Sequence, residues 1–226
     1  MKGTVHYEVK DGVAILTVDN PPVNPLSEGV RNGLYDGIAK AEADSEVVAV
    51  VLTGKGRAFI AGADISEFGG NPSGHSLNEV FKSLEYCSKP LVAAINGITL
   101  GGGLETALCC NYRIASKEAF VGLPEVNLGL LPGGGGTQRL PRLTGPSEAL
   151  KMMLTGAHVP AKKALDTGIV DLLSENVVED SIAFAKEKAL EDSKHPMVRD
   201  LNDKMIEARG SENVLVEAQA IAAKSR

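Results

Sequence analysis

The chain has 226 residues, enough for one large domain or one domain with an appendage. It is 43% hydrophobic and 23% charged, an ordinary globular composition. A net charge of −6 argues against nucleic acid as a partner, because phosphate binding needs a basic face, and no window approaches the ~18 apolar residues of a membrane span.

In chain order, VHYEV and VAILTVD alternate as hairpin strands around Lys10-Asp11-Gly12, which contains the Asp-Gly turn signal. Asn20-Pro21-Pro22 ends the second strand, since proline cannot donate to a ladder. Ser27 to about Ala43 carries a helical pattern with Ser27 as N-cap. Glu46–Thr53 is a continuous β-branched run of the kind buried on both faces of a sheet. A loop, Gly54-Lys55-Gly56-Arg57, leads into AFIAGADI, and His75–Cys87 reads as a helix. Pro90–Asn96 is a second buried strand, and Gly101–Gly103 opens a short apolar helix. Tyr112–Ala115 and Ala119–Gly122 are short strands. Helices then follow at Gly135–Leu143, Pro146–Thr155, Ala161–Gly168 and Val178–Leu190, with one or two charged helices from His195 to the end. Strands and helices alternate to about residue 122 and helices dominate afterwards, which predicts an α/β core with largely parallel strands. Ser193–Pro196 is the best candidate joint, dividing residues 1–192 from a C-terminal helical segment, 193–226.

The cysteines, Cys87, Cys109 and Cys110, are odd in number and form no CxxC pair. They predict small buried apolar side chains in a reducing compartment, not a disulfide framework or a zinc site. The N-terminal stretch has no apolar leader core and the closing AAKSR is not an SKL-type address, so the expected location is cytoplasmic.

The chemistry lies in the glycines and in two acids. FIAGADI (Phe59–Ile65) and GITLGGGLE (Gly97–Glu105) each follow a buried strand, where small residues leave backbone N–H groups open to a ligand. Gly101–Gly103 also stands at a helix N-terminus, which favours negative charge. Two such junctions side by side can offer two N–H donors to one oxygen, although tight turns alone account for either cluster equally well. Glu105 and Glu125 are single carboxylates in apolar runs, and apolar surroundings raise a carboxyl pKa toward acid/base use. A dinucleotide site is a poor rival: Thr106 stands where the third glycine of GxGxxG belongs. No GK[ST] follows a glycine run, so a P-loop fits worse.

These residues, taken in order, resemble the crotonase (enoyl-CoA hydratase/isomerase) superfamily from about Val5 to Ser174. The resemblance is carried by NPPVNPLS at Asn20–Ser27, GRAFIAGADISEF at Gly56–Phe68 and NGITLGGGLETALCCNYRIAS at Asn96–Ser116. It continues through FVGLPEVNLGLLPGGGGTQRLPRLTG at Phe120–Gly145 and TGAHVPAKKALDTGIVD at Thr155–Asp171. The wording is most similar to the hydratase part of the multifunctional β-oxidation enzymes.

The resemblance implies a ββα spiral core with a C-terminal helical region, and a 2-enoyl-CoA hydratase. It gives Ala63 and Gly102 as backbone donors to the thioester oxygen, Glu105 as the residue that activates water, Glu125 as the proton donor to C2, and Gly133 as a backbone position near that water. Gly134–Gly136 are expected to be structural, with Gln138 and Arg139 anchoring the turn. Arg57, Ala61, Gly62, Asp64 and Ile65 are implied on the CoA side of the acyl-CoA substrate. No metal and no redox cofactor is implied, because CoA enters as part of the substrate. A homotrimer or a pair of trimers is the family's usual assembly. Retention of both acids favours hydratase over the Δ3,Δ2-enoyl-CoA isomerases, which need chiefly the acid matching Glu125. A non-catalytic RNA-binding member of the fold is disfavoured by the pI of 5.3. Two departures stand out. Ser66 occupies the place of a CoA-binding lysine, and the sequence stops at Arg226, before the family's final acidic and aromatic stretch with a further lysine. Acyl-pocket depth is expected to depend on loops such as Gly69–Ser76.

Overall fold

A computed structural model describes residues 3–67, 69, 73–191, 194–209 and 213–224. The hairpin forms as read: β1 (Thr4–Lys10) and β2 (Val13–Asp19) pair antiparallel, with both turn residues at positive φ, Asp11 at 51° and Gly12 at 79°. From there β3 (Ala49–Gly54), β5 (Leu91–Ile95), β7 (Tyr112–Ser116) and β10 (Leu172–Ser174) add in parallel, giving a six-stranded sheet in the order β1-β2-β3-β5-β7-β10. A second sheet, in the order β4-β6-β8-β9, is built from β4 (Ala58–Ala61), β6 (Ile98–Leu100), β8 (Phe120–Gly122) and β9 (Val159–Pro160). Each pass of the chain leaves one strand in the large sheet and the next in the small one, as β3 then β4, β5 then β6, β7 then β8. A spiral results.

The unbroken apolar strands have a simple cause. Leu16, Val50, Leu52, Leu91, Ala93 and Ile95 point into the main core, while their alternates Ile15, Val51, Val92 and Ala94 point the other way. That second face is covered by Ile182 and Ala185 of helix α7 (Val177–Ala189). Both faces of the inner strands β3 and β5 are therefore dry, and period-2 alternation of polarity has no reason to appear there, whereas the edge strand β1 is largely exposed. Each fully buried Leu or Ile contributes roughly 1.5–3 kcal/mol relative to exposure.

The remaining helices are α1 (Glu28–Ala43), α2 (Leu77–Glu85), α3 (Gly102–Cys109), α4 (Gly136–Thr144), α5 (Pro146–Thr155), α6 (Ala161–Asp166), α8 (Asp203–Ala208) and α9 (Asn213–Lys224). Ser27 occupies the N-cap position of α1 but makes no side-chain cap bond; its hydroxyl accepts from Asn20 Nδ2 at 3.1 Å. Helices do dominate after residue 122, but two short strands not read from the sequence, β9 and β10, close an edge of each sheet. The Pro90–Asn96 strand is also followed by an unforeseen β6. Cys109 and Cys110 are buried and Cys87 half-buried, all three as free thiols. The candidate joint begins at Ser193, which lies outside the described residues together with Asp192. Just beyond it, the chain is tied to the core by Asn111 Nδ2 donating to Pro196 O at 3.0 Å and by His195 Nδ1 3.2 Å from Tyr112 OH. Among the described residues no helix is long and apolar enough to cross a membrane.

Candidate active site

The site sits at the C-terminal ends of three parallel strands. In the small sheet Ala61, Leu100 and Gly122 stand in one register, on β4, β6 and β8. Two residues past the first comes Ala63, two past the second Gly102, and three past the third Glu125. Parallel pairing alone therefore brings together residues as far apart in sequence as Ala63 and Glu125.

NPPVNPLS braces this edge from outside. Leu26 N–H donates to Gly62 O at 2.9 Å, and Ala61 N–H donates to Val23 O at 3.0 Å. Asn24, at φ 56° and 2% exposed, donates through Nδ2 to the carbonyls of Lys55, Ala58 and Phe59. With its flanks tied down, the Ala63 N–H is left with no acceptor among the described residues. Gly102 is the first residue of α3, and a first-turn N–H has no intrahelical partner. A Cβ built on Gly102 would lie 3.6 Å from Ala63 N and 3.0 Å from Leu26 Cδ1, so the two donors are neighbours. Gly101, at φ 54°, makes the turn between β6 and α3 and would bring a Cβ to 3.2 Å from Glu125 Oε1.

The two carboxylates differ in their partners. Glu105, one turn into α3 and 3% exposed, accepts at Oε1 from Gly134 N–H and Gly136 N–H, both at 2.8 Å. Burial pushes its pKa up, while the two N–H bonds and the Arg139 guanidinium hold the rise back. Glu125, in the 3₁₀ turn Pro124–Leu128, has a buried Oε2 with no hydrogen-bond partner among the described residues. Its pKa is raised by burial and, further, by the charge of Glu105. Both carboxyls are thus raised, but only Glu105 has partners that favour its charged form. Unequal surroundings of this kind are what an acid/base pair requires.

Both acids face a cavity of about 390 Å³ whose other walls include Leu77, Leu100, Leu128, Leu130 and Leu131. Of the residues expected there, Ala61, Gly62, Ala63, Ile65, Gly102, Glu105, Glu125 and Gly133 all line it. Arg57 does not; it is exposed in the β3–β4 loop. Asp64 does not either, for a local reason: its Oδ1 accepts from Ser66 N–H at 3.0 Å and Ser66 Oγ at 2.6 Å, closing the turn into Ile65–Glu67. Ser66, in the place of the expected lysine, is thereby spent on that turn. In the loop Gly69–Ser76, residues 70–72 lie outside the described residues, as does Phe68.

The sequence reading missed the leucines of the wall and the way Gly134 and Gly136 grip Glu105. The run LGLLPGGGG held both signals, since apolar side chains that stay exposed beside a glycine turn have a reason to be there. Arg139 does anchor the turn, donating from Nη1 to Gly134 O at 2.8 Å, while Gln138 lines a neighbouring polar cavity. Each of the four histidines has a partner elsewhere, such as Tyr35 stacked on His75 and Phe120 on His158.

A two-sheet spiral with two acids on one apolar cavity and paired backbone donors at the strand ends defines a crotonase-type protein. Residues 8–224 match the family described as Enoyl-CoA hydratase/isomerase, and the chain belongs to that family. Among its relatives, the peroxisomal bifunctional enzyme of Danio rerio is 50% identical over 181 residues, covering 79% of this chain and 25% of that protein. The probable enoyl-CoA hydratase of Bacillus subtilis (strain 168) is 43% identical over 193 residues, covering 82% of this chain and 74% of that protein. Among solved structures, an enoyl-CoA hydratase from Bacillus anthracis superposes with a TM-score of 0.76 at 30% identity, covering 100% of this chain and 89% of that one. The chain spans about a quarter of the length of the bifunctional relatives it matches.

Proposed function

We propose that this chain is a 2-enoyl-CoA hydratase, adding water across the trans double bond of an enoyl thioester in β-oxidation or a related acyl-CoA pathway. The observation that carries the proposal is the unequal pair Glu105 and Glu125 on one apolar cavity beside the Ala63 and Gly102 N–H groups. The names of the Danio rerio and Bacillus subtilis relatives agree with it.

In this reading the thioester oxygen accepts from Ala63 and Gly102. Ionised Glu105 takes a proton from water as the water oxygen bonds to C3, and the C2=C3 electron pair moves toward the carbonyl. The enolate charge that develops meets two preset dipoles, each worth on the order of 10²–10³ in rate. Protonated Glu125 then delivers its proton to C2, and the proton left on Glu105 re-equilibrates between the acids. Coenzyme A arrives as part of the substrate and runs outward past Ala61, Gly62 and Ile65. Three free cysteines fit a reducing compartment, with the cytoplasm as the proposed site of action.

The test is loss of enoyl-thioester absorbance with crotonyl-CoA and longer substrates. Rapid loss that Glu105→Gln abolishes supports hydration; no loss from folded protein sinks it. Isomerase chemistry is the second reading, favoured by the unpaired Glu125 Oε2, which can move a proton between C2 and C4 without Glu105. Under that reading Glu105→Gln keeps the double-bond shift.

A further inference from the structure

The Gly133–Gly134 turn also walls a second, polar cavity of about 420 Å³, which contains Glu85, Arg139 and Arg199. Glu85 ends α2 and is 5% exposed, yet it receives two guanidiniums. Arg139 donates to it from Nε at 2.8 Å and Nη2 at 3.1 Å, and Arg199 donates from Nη1 at 3.1 Å. Arg199 comes from the C-terminal turn Val198–Asp200 and also donates to Tyr86 OH at 2.7 Å.

A buried ion cluster is weak support for a fold, because well-packed apolar groups of the same volume often hold it as well. What apolar groups cannot do is aim a donor. With its other nitrogens fixed by Glu85, Arg139 places Nη1 2.8 Å from Gly134 O. Gly134 is then held at both ends, its carbonyl by Arg139 and its N–H by Glu105 Oε1. A Cβ on Gly134 would come within 2.1 Å of Phe81 and 2.5 Å of Glu105 Oε2, so this peptide lies against the carboxylate with no slack.

We propose that Arg139, fixed by Glu85 and braced by Arg199 from the C-terminal segment, is a positioning residue that orients the Glu105 carboxylate through Gly134. Its catalytic consequence rests on the hydratase reading; its structural content does not.

Two readouts keep these apart. The first is a carbon-13 NMR titration of the glutamate carboxyls, with Glu105 assigned through Glu105→Gln, which needs no substrate. The second is steady-state hydration of crotonyl-CoA. Arg139→Gln is expected to raise the Glu105 midpoint by about one pH unit, with Glu125 the other titrating neighbour. It should lower kcat about 10²-fold, the scale of a ~1 Å misplacement, while KM holds within a factor of about two. Arg139→Lys should keep the midpoint near that of the parent but recover only part of kcat, since a point charge cannot serve Glu85 and Gly134 O as a planar fork does. Arg199→Ala should lower kcat roughly threefold, a loosening and not a loss of the fork. A folded Arg139→Gln with unchanged midpoint, or with KM raised and kcat intact, overturns the proposal. If Arg139→Gln fails to fold, unchanged kcat in both Arg139→Lys and Arg199→Ala overturns it. If the parent hydrates nothing, the hydratase reading falls and the midpoint alone decides: an upward shift upholds the positioning role, and no shift ends it.

Discussion

Glu105 and Glu125 face the same cavity, yet Glu105 accepts two backbone N–H bonds at 2.8 Å whereas Glu125 Oε2 is buried with no partner among the described residues. The asymmetry gives Glu105 the partners that favour a carboxylate and leaves Glu125 without them, and it makes the site costly to the fold.

That cost is measurable in Glu125→Gln. Burial and the Glu105 charge raise the Glu125 pKa above that of a free glutamate, about 4.3. A raised pKa in the folded state gives stability that is present below the unfolded value and lost as pH rises through the folded one. Glu125→Gln should therefore have a higher Tm than the parent at pH 8 and no advantage at pH 4, while hydration falls about 10²–10⁴-fold. Parallel thermal melts at both pH values check it. A Tm deficit at pH 8 would contradict the burial argument.

The pH profile of kcat/KM should be bell-shaped. Activity falls on the acid side as Glu105 takes up a proton and on the alkaline side as Glu125 loses one, and both pKa values are raised. The two groups interact, so the limbs report the pair. Glu105→Gln should remove the acid limb from whatever activity remains.

The glycines of Gly133–Gly136 should not tolerate alanine equally. A Cβ on Gly133 meets only Leu131 O at 4.0 Å, whereas one on Gly134 would clash with Phe81 and Glu105. Gly133→Ala is expected to cost less than about tenfold in kcat, and Gly134→Ala on the order of 10²-fold or more. Equal losses in a side-by-side assay would mean that the Glu105 contact is not what matters.

Asn24→Ala removes the Nδ2 hydrogen bonds to the carbonyls of Lys55, Ala58 and Phe59 and the Oδ1 acceptor of the Asn20 N–H, and places alanine at φ 56°. A loss of about 2–4 kcal/mol in chemical denaturation is expected, from unsatisfied carbonyls and backbone strain. Asn24→Gly should recover the strain component alone, so it is predicted to fall between the two.

Much of this was legible along the chain because it is local. The Asp-Gly turn, the dry strands β3 and β5 and the α3 glycines each act within a few residues, through φ, period or an unpaired N–H. The resemblance carried by the ordered motifs named both acids, and the structure brings them to one cavity. Arg57 and Asp64 were placed on the CoA side by the same motif, but Asp64 satisfies its carboxylate two residues away on Ser66, a choice of rotamer that no residue type declares.

What only the tertiary structure decided is the long-range closure. Strands β6, β9 and β10 have two or three residues each, too few for periodicity to register, and exist because a neighbouring strand offers its edge. Glu105 meets Gly134 and Gly136 across 29 and 31 residues, and Glu85 meets Arg139 across 54 and Arg199 across 114. Sequence determined that Glu105 and Glu125 would stand in apolar surroundings and that glycines would let backbone come close. Which N–H groups reached which carboxylate was settled by the spiral, because an oxygen's partners depend on distances that only parallel registration and packing create.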